Sequence, residues 1–150
     1  MVRITRSLLL DRKPDCKLAV WGLAYKENTH SVKNSPSLAA IAQMPDAELC
    51  VHDPVVSASV VKHRHLRACV EPLDALDGAE ALLILTPWPQ YRQIDPARIS
   101  AALTGRIVID PFKVLDRSKA AATGLSYYTL GQPGSQAPRS QSEPPLSAAK

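Results

Sequence analysis

The chain has 150 residues, of which 45% are hydrophobic and 21% charged, and its formal net charge is +4. This length and apolar content suit one globular domain built around a single core. The three cysteines, Cys16, Cys50 and Cys69, are an odd number with no C-x-x-C pair, which excludes a disulfide framework and a zinc site and predicts buried thiols in a cytoplasmic protein.

The two ends of the chain differ from its middle. The apolar residues 8–10 are too few for the core of a signal peptide and are closed by the charged residues 11–13, so we expect neither an export signal nor a membrane span. Residues 132–150 are rich in proline, glycine and serine and have almost no large apolar side chain. That composition predicts a disordered tail.

Short apolar runs alternate with amphipathic segments along the rest of the chain. The predicted strands are residues 17–22, 48–52, 68–71, 81–86, 106–110 and 126–129. The predicted helices are residues 36–44, 55–64, 72–77, 96–103 and 113–122. This alternation predicts an α/β fold with a mostly parallel sheet, right-handed crossovers and helices on both faces.

The end of the first predicted strand has the features of a phosphate site. Gly22 ends the apolar run, Lys26 and Lys33 lie in the polar loop, and Ser35 and Pro36 are a helix N-cap and first helical residue. Only one of the three glycines of a G-x-G-x-x-G fingerprint is present. We therefore expect backbone amides and lysine ammonium groups to meet at one anion-binding spot.

Loops that follow other strands should reach the same place. In a doubly wound parallel sheet the ligand lies beyond the carboxyl ends of the strands, where the strand order reverses. The first strand brings Tyr25, Lys26 and Lys33 to this edge, the fourth brings residues 86–88 and the fifth residues 110–113. These loops are expected to converge there.

Four sequence blocks carry a family resemblance. They read G-L-A-Y-K-x-N-T-x-x-V-K-x-S-P from Gly22, V-H-D-P from Val51, A-E-A-L-L-I-L-T-P-W from Ala79 and I-V-I-D from Ile107. In this order, and across about residues 17–116, they resemble the C-terminal, UDP-binding domain of the UDP-glucose/GDP-mannose dehydrogenase family. The resemblance implies a Rossmann-like three-layer sandwich that binds a nucleotide sugar.

The resemblance also implies a division of the chain. Enzymes of this family combine an N-terminal NAD-binding domain, a helical linking region with a catalytic cysteine, and this C-terminal domain. Residues 1–16 are then a remnant of the linking helix and its connector, 17–131 the UDP-sugar-binding domain and 132–150 the tail. Because the three cysteines lie outside the catalytic motif, this chain alone is predicted to reduce no NAD.

The family motifs assign roles to four residues. Lys26 corresponds to the lysine that contacts the nucleotide sugar, and Tyr25 to the aromatic residue that shapes the nucleoside pocket. Lys33 stands where an arginine usually reaches toward NAD, so it is the candidate cofactor contact. Phe112 aligns with an arginine that binds substrate, which leaves Lys113, one place later, as the candidate cation.

Three further residues at the predicted edge have a structural and a binding interpretation. Asp53 could hold ribose hydroxyls, but Asp-Pro is also typical of a turn that ends a strand, and we favour the turn. Trp88 could stack on a base or cover the sheet, and we favour the covering role. Asp110 is expected to brace the loop by accepting backbone N–H bonds.

The cationic segment 62–67 raises a different interpretation. It contains Lys62, His63, Arg64, His65 and Arg67 but no aromatic residue for base stacking. A solvated helix face explains it better than nucleic-acid binding. His63 and His65, two positions apart, would not face each other on a helix and make a poor metal pair.

Three hypotheses follow. The first is the UDP-sugar-binding part of an NAD-dependent nucleotide-sugar 6-dehydrogenase, whose partners are the UDP-sugar and the missing dehydrogenase domains or a homologous subunit. The second is a non-catalytic Rossmann-like interaction or assembly module that has lost ligand binding. The third is a basic domain that associates with nucleic acid.

Overall fold

The computed structural model describes residues 2–26, 28–29 and 31–129, so the predicted tail lies outside the described residues. Its sheet is built from β1 (Lys17–Trp21), β2 (Glu48–His52), β3 (Leu66–Ala68), β4 (Ala81–Ile84), β5 (Ile107–Ile109) and β6 (Ser126–Tyr128). The strand order is β3-β2-β1-β4-β5-β6, and every neighbouring pair is parallel. The predicted α/β, Rossmann-like fold is therefore confirmed, with its topological switch point between β1 and β4.

Helical segments connect the strands. The α-helices are α1 (Val2–Thr5), α2 (Pro36–Ala42), α3 (Pro96–Ala102) and α4 (Arg117–Ala122), and α1 continues into a π-helical turn at Arg6–Leu10. Three 3₁₀-helices occupy Ala58–Val60, Pro72–Leu76 and Pro89–Gln93. No helix of the described ranges is long and apolar enough to cross a membrane.

The start of α2 follows from two adjacent residues. Ser35 is extended and its side chain accepts a hydrogen bond from the Leu38 amide, while Pro36 occupies the first helical position. This N-cap and first residue confirm the prediction, because the proline ring already has a helical φ and the serine satisfies an otherwise free N–H. Asp95 and Asp116 cap α3 and α4 in the same way.

The core lies on both faces of the central strands. All four residues of β4 and the last four of β1 are buried, as expected for parallel strands covered on both sides. The largest fully buried side chains are Trp21, Tyr91 and Tyr127. Trp21 stacks on Tyr91 with ring centroids 4.8 Å apart.

Several predicted boundaries are wrong. The predicted helix 55–64 is only the 3₁₀ turn Ala58–Val60, because the segment is rich in β-branched valines, which lose side-chain freedom in a helix. The third strand begins at Leu66, two residues earlier than predicted. Residues 72–76 form a 3₁₀-helix, and α4 begins at Arg117 instead of residue 113.

The cationic segment 62–67 is accordingly not a helix face. Arg64 forms an exposed ion pair with Asp46 at 2.8 Å, and His63 Nε2 lies 2.8 Å from the Met44 carbonyl oxygen. Because this segment is not helical, the rings of His63 and His65 do lie near each other, with centroids 6.4 Å apart. Within the described ranges, no three His, Cys, Asp or Glu residues are grouped so that they could hold a metal ion.

Candidate functional site

The exits of β1, β2, β4 and β5 share one edge of the sheet, because the strands are parallel and adjacent. Gly22 follows β1, Asp53 follows β2, Thr86 follows β4 and Asp110 follows β5. The predicted convergence of the loops after β1, β4 and β5 at the carboxyl edge is confirmed, and the β2 exit joins them. This edge includes the switch point, where ligands of such folds bind.

Gly22 makes a tight turn that other residues do not fit. Its φ is +103°, and its N–H donates to the His52 carbonyl at 2.8 Å. A Cβ atom on Gly22 would lie 2.6 Å from the backbone nitrogen of Thr86. The glycine therefore allows the β1 exit to approach the β4 exit closely.

Asp53 joins three of the loops through its carboxylate. Oδ2 accepts from the amides of Leu23 (2.7 Å) and Ala24 (3.1 Å) and from the Trp88 indole nitrogen (3.0 Å). Oδ1 accepts from the amides of Val55 (2.8 Å) and Val56 (2.7 Å). The turn interpretation of Asp53 is confirmed, since these five donors occupy the acceptor sites that ribose hydroxyls would need.

The same contacts correct the expected phosphate cradle. The amides of Leu23 and Ala24 immediately follow the glycine turn, and both already donate to Asp53. The prediction that backbone amides of this turn contact phosphate is wrong for these two. Lys26 and Lys33 lie farther along the loop and are exposed, so this correction leaves their predicted roles unchanged.

The stem of the β1–α2 loop is fixed by hydroxyl groups. Thr86 Oγ1 donates to the Ala24 carbonyl and Ser35 Oγ to the Leu23 carbonyl, each at 2.9 Å. Both hydroxyl-bearing residues are buried. The loop therefore leaves the sheet from a rigid base, and its outer part carries Tyr25 and Lys26.

Beyond that base the predicted binding residues are exposed. The Tyr25 amide donates to the Ser31 carbonyl at 2.7 Å, which closes the outer loop, and the Tyr25 side chain is 51% exposed. Lys26 and Lys33 are exposed on the same loop. The structure places these three residues at the carboxyl edge, and their binding roles stay predictions.

The loop after β5 carries the other candidate cation. Lys113 is exposed and has a φ of +54°, in the left-handed region, and Phe112 beside it is 45% exposed. Arg92 Nη1 lies 3.4 Å from the Lys113 carbonyl oxygen and links this loop to the 3₁₀-helix after β4. The role of Lys113 in ligand binding also stays a prediction.

Asp110 and Trp88 have the structural roles that were favoured. Asp110 is fully buried, and its Oδ2 accepts from the Leu115 amide (2.9 Å) and the Tyr127 hydroxyl (2.7 Å). Burial and this carboxylate raise the pKa of Tyr127, which keeps the phenol protonated as the donor. Trp88 is 6% exposed, so its ring covers the sheet and offers no face to a base.

His52 and Tyr91 form a buried polar pair beneath the edge. His52 Nδ1 lies 2.9 Å from the Tyr91 hydroxyl, and that hydroxyl donates to the His52 carbonyl at 3.1 Å. Burial lowers the pKa of His52 and raises that of Tyr91. Both groups are therefore neutral in the folded protein near neutral pH.

We expect this lowered pKa to make the protein less stable in mild acid. Below the unfolded-state pKa of about 6.5 the unfolded chain binds a proton that folded His52 resists, so the free energy of unfolding falls as the pH falls. Denaturant titrations between pH 7.5 and pH 5.5 should show a smaller loss for His52→Asn than for the unmodified chain. The exposed His65, changed to Asn, is the control and should leave the loss unaltered; equal losses for all three proteins would contradict the assignment.

The prediction of buried thiols is confirmed for two of the three cysteines. All three are free; Cys16 and Cys50 are buried and Cys69 is half-buried. Burial raises the pKa of Cys16 to about 11 and also raises that of Cys69. A raised pKa disfavours the nucleophilic thiolate.

The sequence did not indicate the contacts of Asp53 between loops, nor the position of Arg92. The sequence signal for Asp53 gave its turn but not its contacts to Leu23 and Ala24, which lie about thirty residues away in the chain. Arg92 was not singled out at all. The only local signal for its position is Pro89, which begins the 3₁₀-helix that carries it.

Comparisons with known proteins agree on one family. The model of the UDP-glucose/GDP-mannose dehydrogenase family, UDP binding domain, matches residues 19–117. The UDP-glucose 6-dehydrogenase of Pseudomonas aeruginosa is 30% identical over 125 residues, which are 77% of this chain and 28% of that protein. TuaD of Bacillus subtilis, also a UDP-glucose 6-dehydrogenase, is 27% identical over 120 residues, which are 77% of this chain and 26% of that protein.

Solved structures show the same relationship. A UDP-glucose dehydrogenase from the archaeon Pyrobaculum islandicum is 28% identical, with a TM-score of 0.64 over 85% of this chain and 28% of that chain. An NDP-N-acetyl-D-galactosaminuronic acid dehydrogenase from Methanosarcina mazei shares the fold with a TM-score of 0.72 at 20% identity, over 87% of this chain and 28% of that one.

The chain thus spans little more than a quarter of the length of these relatives. The part that it spans contains the β1, β2, β4 and β5 exits described above, and the family match runs from β1 to the start of α4. The chain belongs to the UDP-glucose/GDP-mannose dehydrogenase family and contains its UDP binding domain.

Proposed function

We propose that this chain is the UDP-sugar-binding portion of an NAD-dependent nucleotide-sugar 6-dehydrogenase. The observation that carries the proposal is the exposed Lys26 on a loop with a rigid base, at the switch point of a UDP binding domain. Residues 17–131 form the binding domain, and residues 1–16 connect it to the rest of the enzyme. A cytoplasmic location fits an enzyme that uses NAD and activated sugars.

Each candidate residue has a chemical task in this proposal. Lys26 supplies a compact positive charge to the diphosphate, and Lys113 supplies a second charge from the β5 loop. Tyr25 offers an exposed aromatic face to the nucleoside. Lys33 is the candidate contact to the NAD that another domain holds. The amides of this domain's own glycine turn are already bonded to Asp53, so they are not free for a dinucleotide.

In this proposal, groups that do not belong to this chain oxidise the sugar C6 alcohol to a carboxylate. The thiols of Cys16 and Cys69 have raised pKa values, and Cys50 is buried in β2. The contribution of this domain is to bind and orient the nucleotide sugar. The purified 150-residue chain is accordingly expected to form no NADH from UDP-glucose and NAD, and steady NADH formation would contradict this.

Calorimetric titration of the full chain with UDP-glucose and with UDP tests the proposal. We expect saturable binding that weakens at least tenfold in Lys26→Ala, since a charge-assisted contact to phosphate contributes about 1.5–3 kcal/mol. Binding should also weaken as the salt concentration rises.

The matched control is Lys62→Ala, which removes another exposed lysine, from the segment that leads back to the amino-terminal edge. This variant should bind both ligands as the unmodified chain does. No heat of binding with either ligand would favour a module that has lost its ligand. Equal weakening in both variants would indicate a general charge effect.

A further inference from the structure

We propose that the carboxylate of Asp53 occupies, within this domain, the position that a phosphate takes at the glycine turn of a dinucleotide-binding domain. Asp53 thereby excludes dinucleotides such as NAD from this turn and restricts the domain to ligands held by side chains farther along the loop. Asp53 is a specificity-determining residue in this proposal, and it need not touch the ligand.

The first two amides after the glycine turn point to one oxygen atom. Leu23 and Ala24 are the first two residues after Gly22, and both donate to one oxygen, Asp53 Oδ2, at 2.7 and 3.1 Å. Consecutive amides that aim at one point after a tight glycine turn form an anion-binding concavity. In dinucleotide-binding folds the pyrophosphate sits at the equivalent turn. Here a carboxylate of the chain itself fills that concavity.

Further donors hold the Asp53 carboxylate in place. Its other oxygen accepts from the amides of Val55 and Val56 at 2.8 and 2.7 Å, and the Trp88 indole donates to Oδ2 at 3.0 Å. Val56 and Trp88 are 7% and 6% exposed, so these two donors are largely shielded from solvent. Five donors from three loops keep this carboxylate in place, and a phosphate could enter only by displacing it.

The negative charge of Asp53 also opposes a phosphate at this turn. A phosphate placed beside Asp53 would meet a fixed negative charge at a few ångströms and in a partly buried setting, where repulsion is much stronger than in water. The acidic residue at the end of the second strand normally binds ribose hydroxyls in dinucleotide-binding folds. In this chain the acidic residue, Asp53, accepts hydrogen bonds from backbone amides. The amides that would bind the pyrophosphate and the carboxylate that would bind the ribose are therefore already engaged.

Rescue of Asp53→Ala by added anions tests the proposal. The variant should melt roughly 10 °C below the unmodified chain, because several buried amides lose their acceptor. Sodium formate, phosphate or pyrophosphate should restore at least half of this loss in a saturable way, compared with sodium chloride at the same ionic strength. The unmodified chain should show no such difference between salts.

Asp46→Ala is the matched control, since Asp46 is exposed and pairs only with Arg64 in the contacts described. It should melt close to the unmodified chain and show no preference among the anions. Identical responses of the Asp53 and Asp46 variants to formate and chloride would overturn the proposal.

A second measurement decides the matter even if Asp53→Ala does not fold. In the ¹⁵N-labelled Lys26→Ala chain, which lacks the neighbouring cation proposed to bind diphosphate, inorganic pyrophosphate or NAD should leave the amide signals of Leu23 and Ala24 unshifted at every concentration. Saturable shifts of these two signals would show that the turn accepts phosphate and would overturn the proposal. Because this readout does not involve UDP-sugar, it can fail while the proposed function stands, and the reverse also holds.

Discussion

Replacement of Gly22 by alanine is expected to lower the free energy of unfolding by about 3–5 kcal/mol. The φ of +103° is unfavourable for any residue with a Cβ, and the added atom would lie 2.6 Å from the Thr86 backbone nitrogen. Thr86 has little freedom to retreat, because its side chain donates to the Ala24 carbonyl at 2.9 Å. The β1 and β4 exits would have to separate, which would also disturb the base of the Lys26 loop.

Gly124→Ala is the matched control for this prediction. Gly124 also has a positive φ, +86°, but a Cβ there would meet no atom within 4 Å. Its replacement should cost only the backbone strain, about 1–2 kcal/mol. Urea denaturation of the two variants separates strain from steric overlap. Equal losses would show that the close approach of Gly22 to Thr86 contributes nothing.

Replacement of Trp21 by alanine is expected to lower the free energy of unfolding by about 3–5 kcal/mol as well. Trp21 is fully buried and stacks on Tyr91 with centroids 4.8 Å apart. Its indole nitrogen donates to the Pro72 carbonyl at 2.9 Å, which fixes the 3₁₀-helix Pro72–Leu76 against the sheet. Truncation leaves a large cavity and removes the indole hydrogen bond to the Pro72 carbonyl at once.

Trp21→Phe separates the two contributions. Phenylalanine keeps an aromatic ring against Tyr91 but cannot donate to Pro72, so we expect a smaller loss of about 1–3 kcal/mol. Denaturant unfolding followed by circular dichroism measures both variants on the same scale. A phenylalanine variant as unstable as the alanine variant would mean that the ring stack does not stabilise the fold.

The central part of the fold was predictable because its signals are local. β1 and β4 are uninterrupted apolar runs, which parallel strands buried on both faces require. Ser35 and Pro36 fix the first residue of α2 through their own side chains. Once the strands are known to be parallel, their exits must share an edge, so the location of the candidate site follows as well.

The segment after β2 was not predictable in the same way. Its spacing of apolar residues is compatible with a helix, and Asp53 accepts from the amides of Val55 and Val56 as an N-cap residue would. Valines 55, 56, 60 and 61 lose side-chain freedom in a helix, which disfavours one here. Only Ala58–Val60 then form a helical turn.

The environment of Asp53 depends on contacts between distant parts of the chain. The β1–β2 register pairs Trp21 with His52, which brings the residues after each strand side by side. Trp88 arrives from β4, on the other side of β1. No local pattern contains this arrangement, so the sequence could indicate an anion-binding turn without revealing that the chain supplies the anion.

The claim on which the account depends is that lysines at the carboxyl edge hold the diphosphate of a UDP-sugar. Titration of UDP into the ¹⁵N-labelled full chain tests it most directly. We expect saturable shifts of the amide signals of Tyr25, Lys26 and Lys113. Shifts confined to Arg64, which precedes β3, and Arg67, which lies within it, or no saturable shift at all, would contradict this claim.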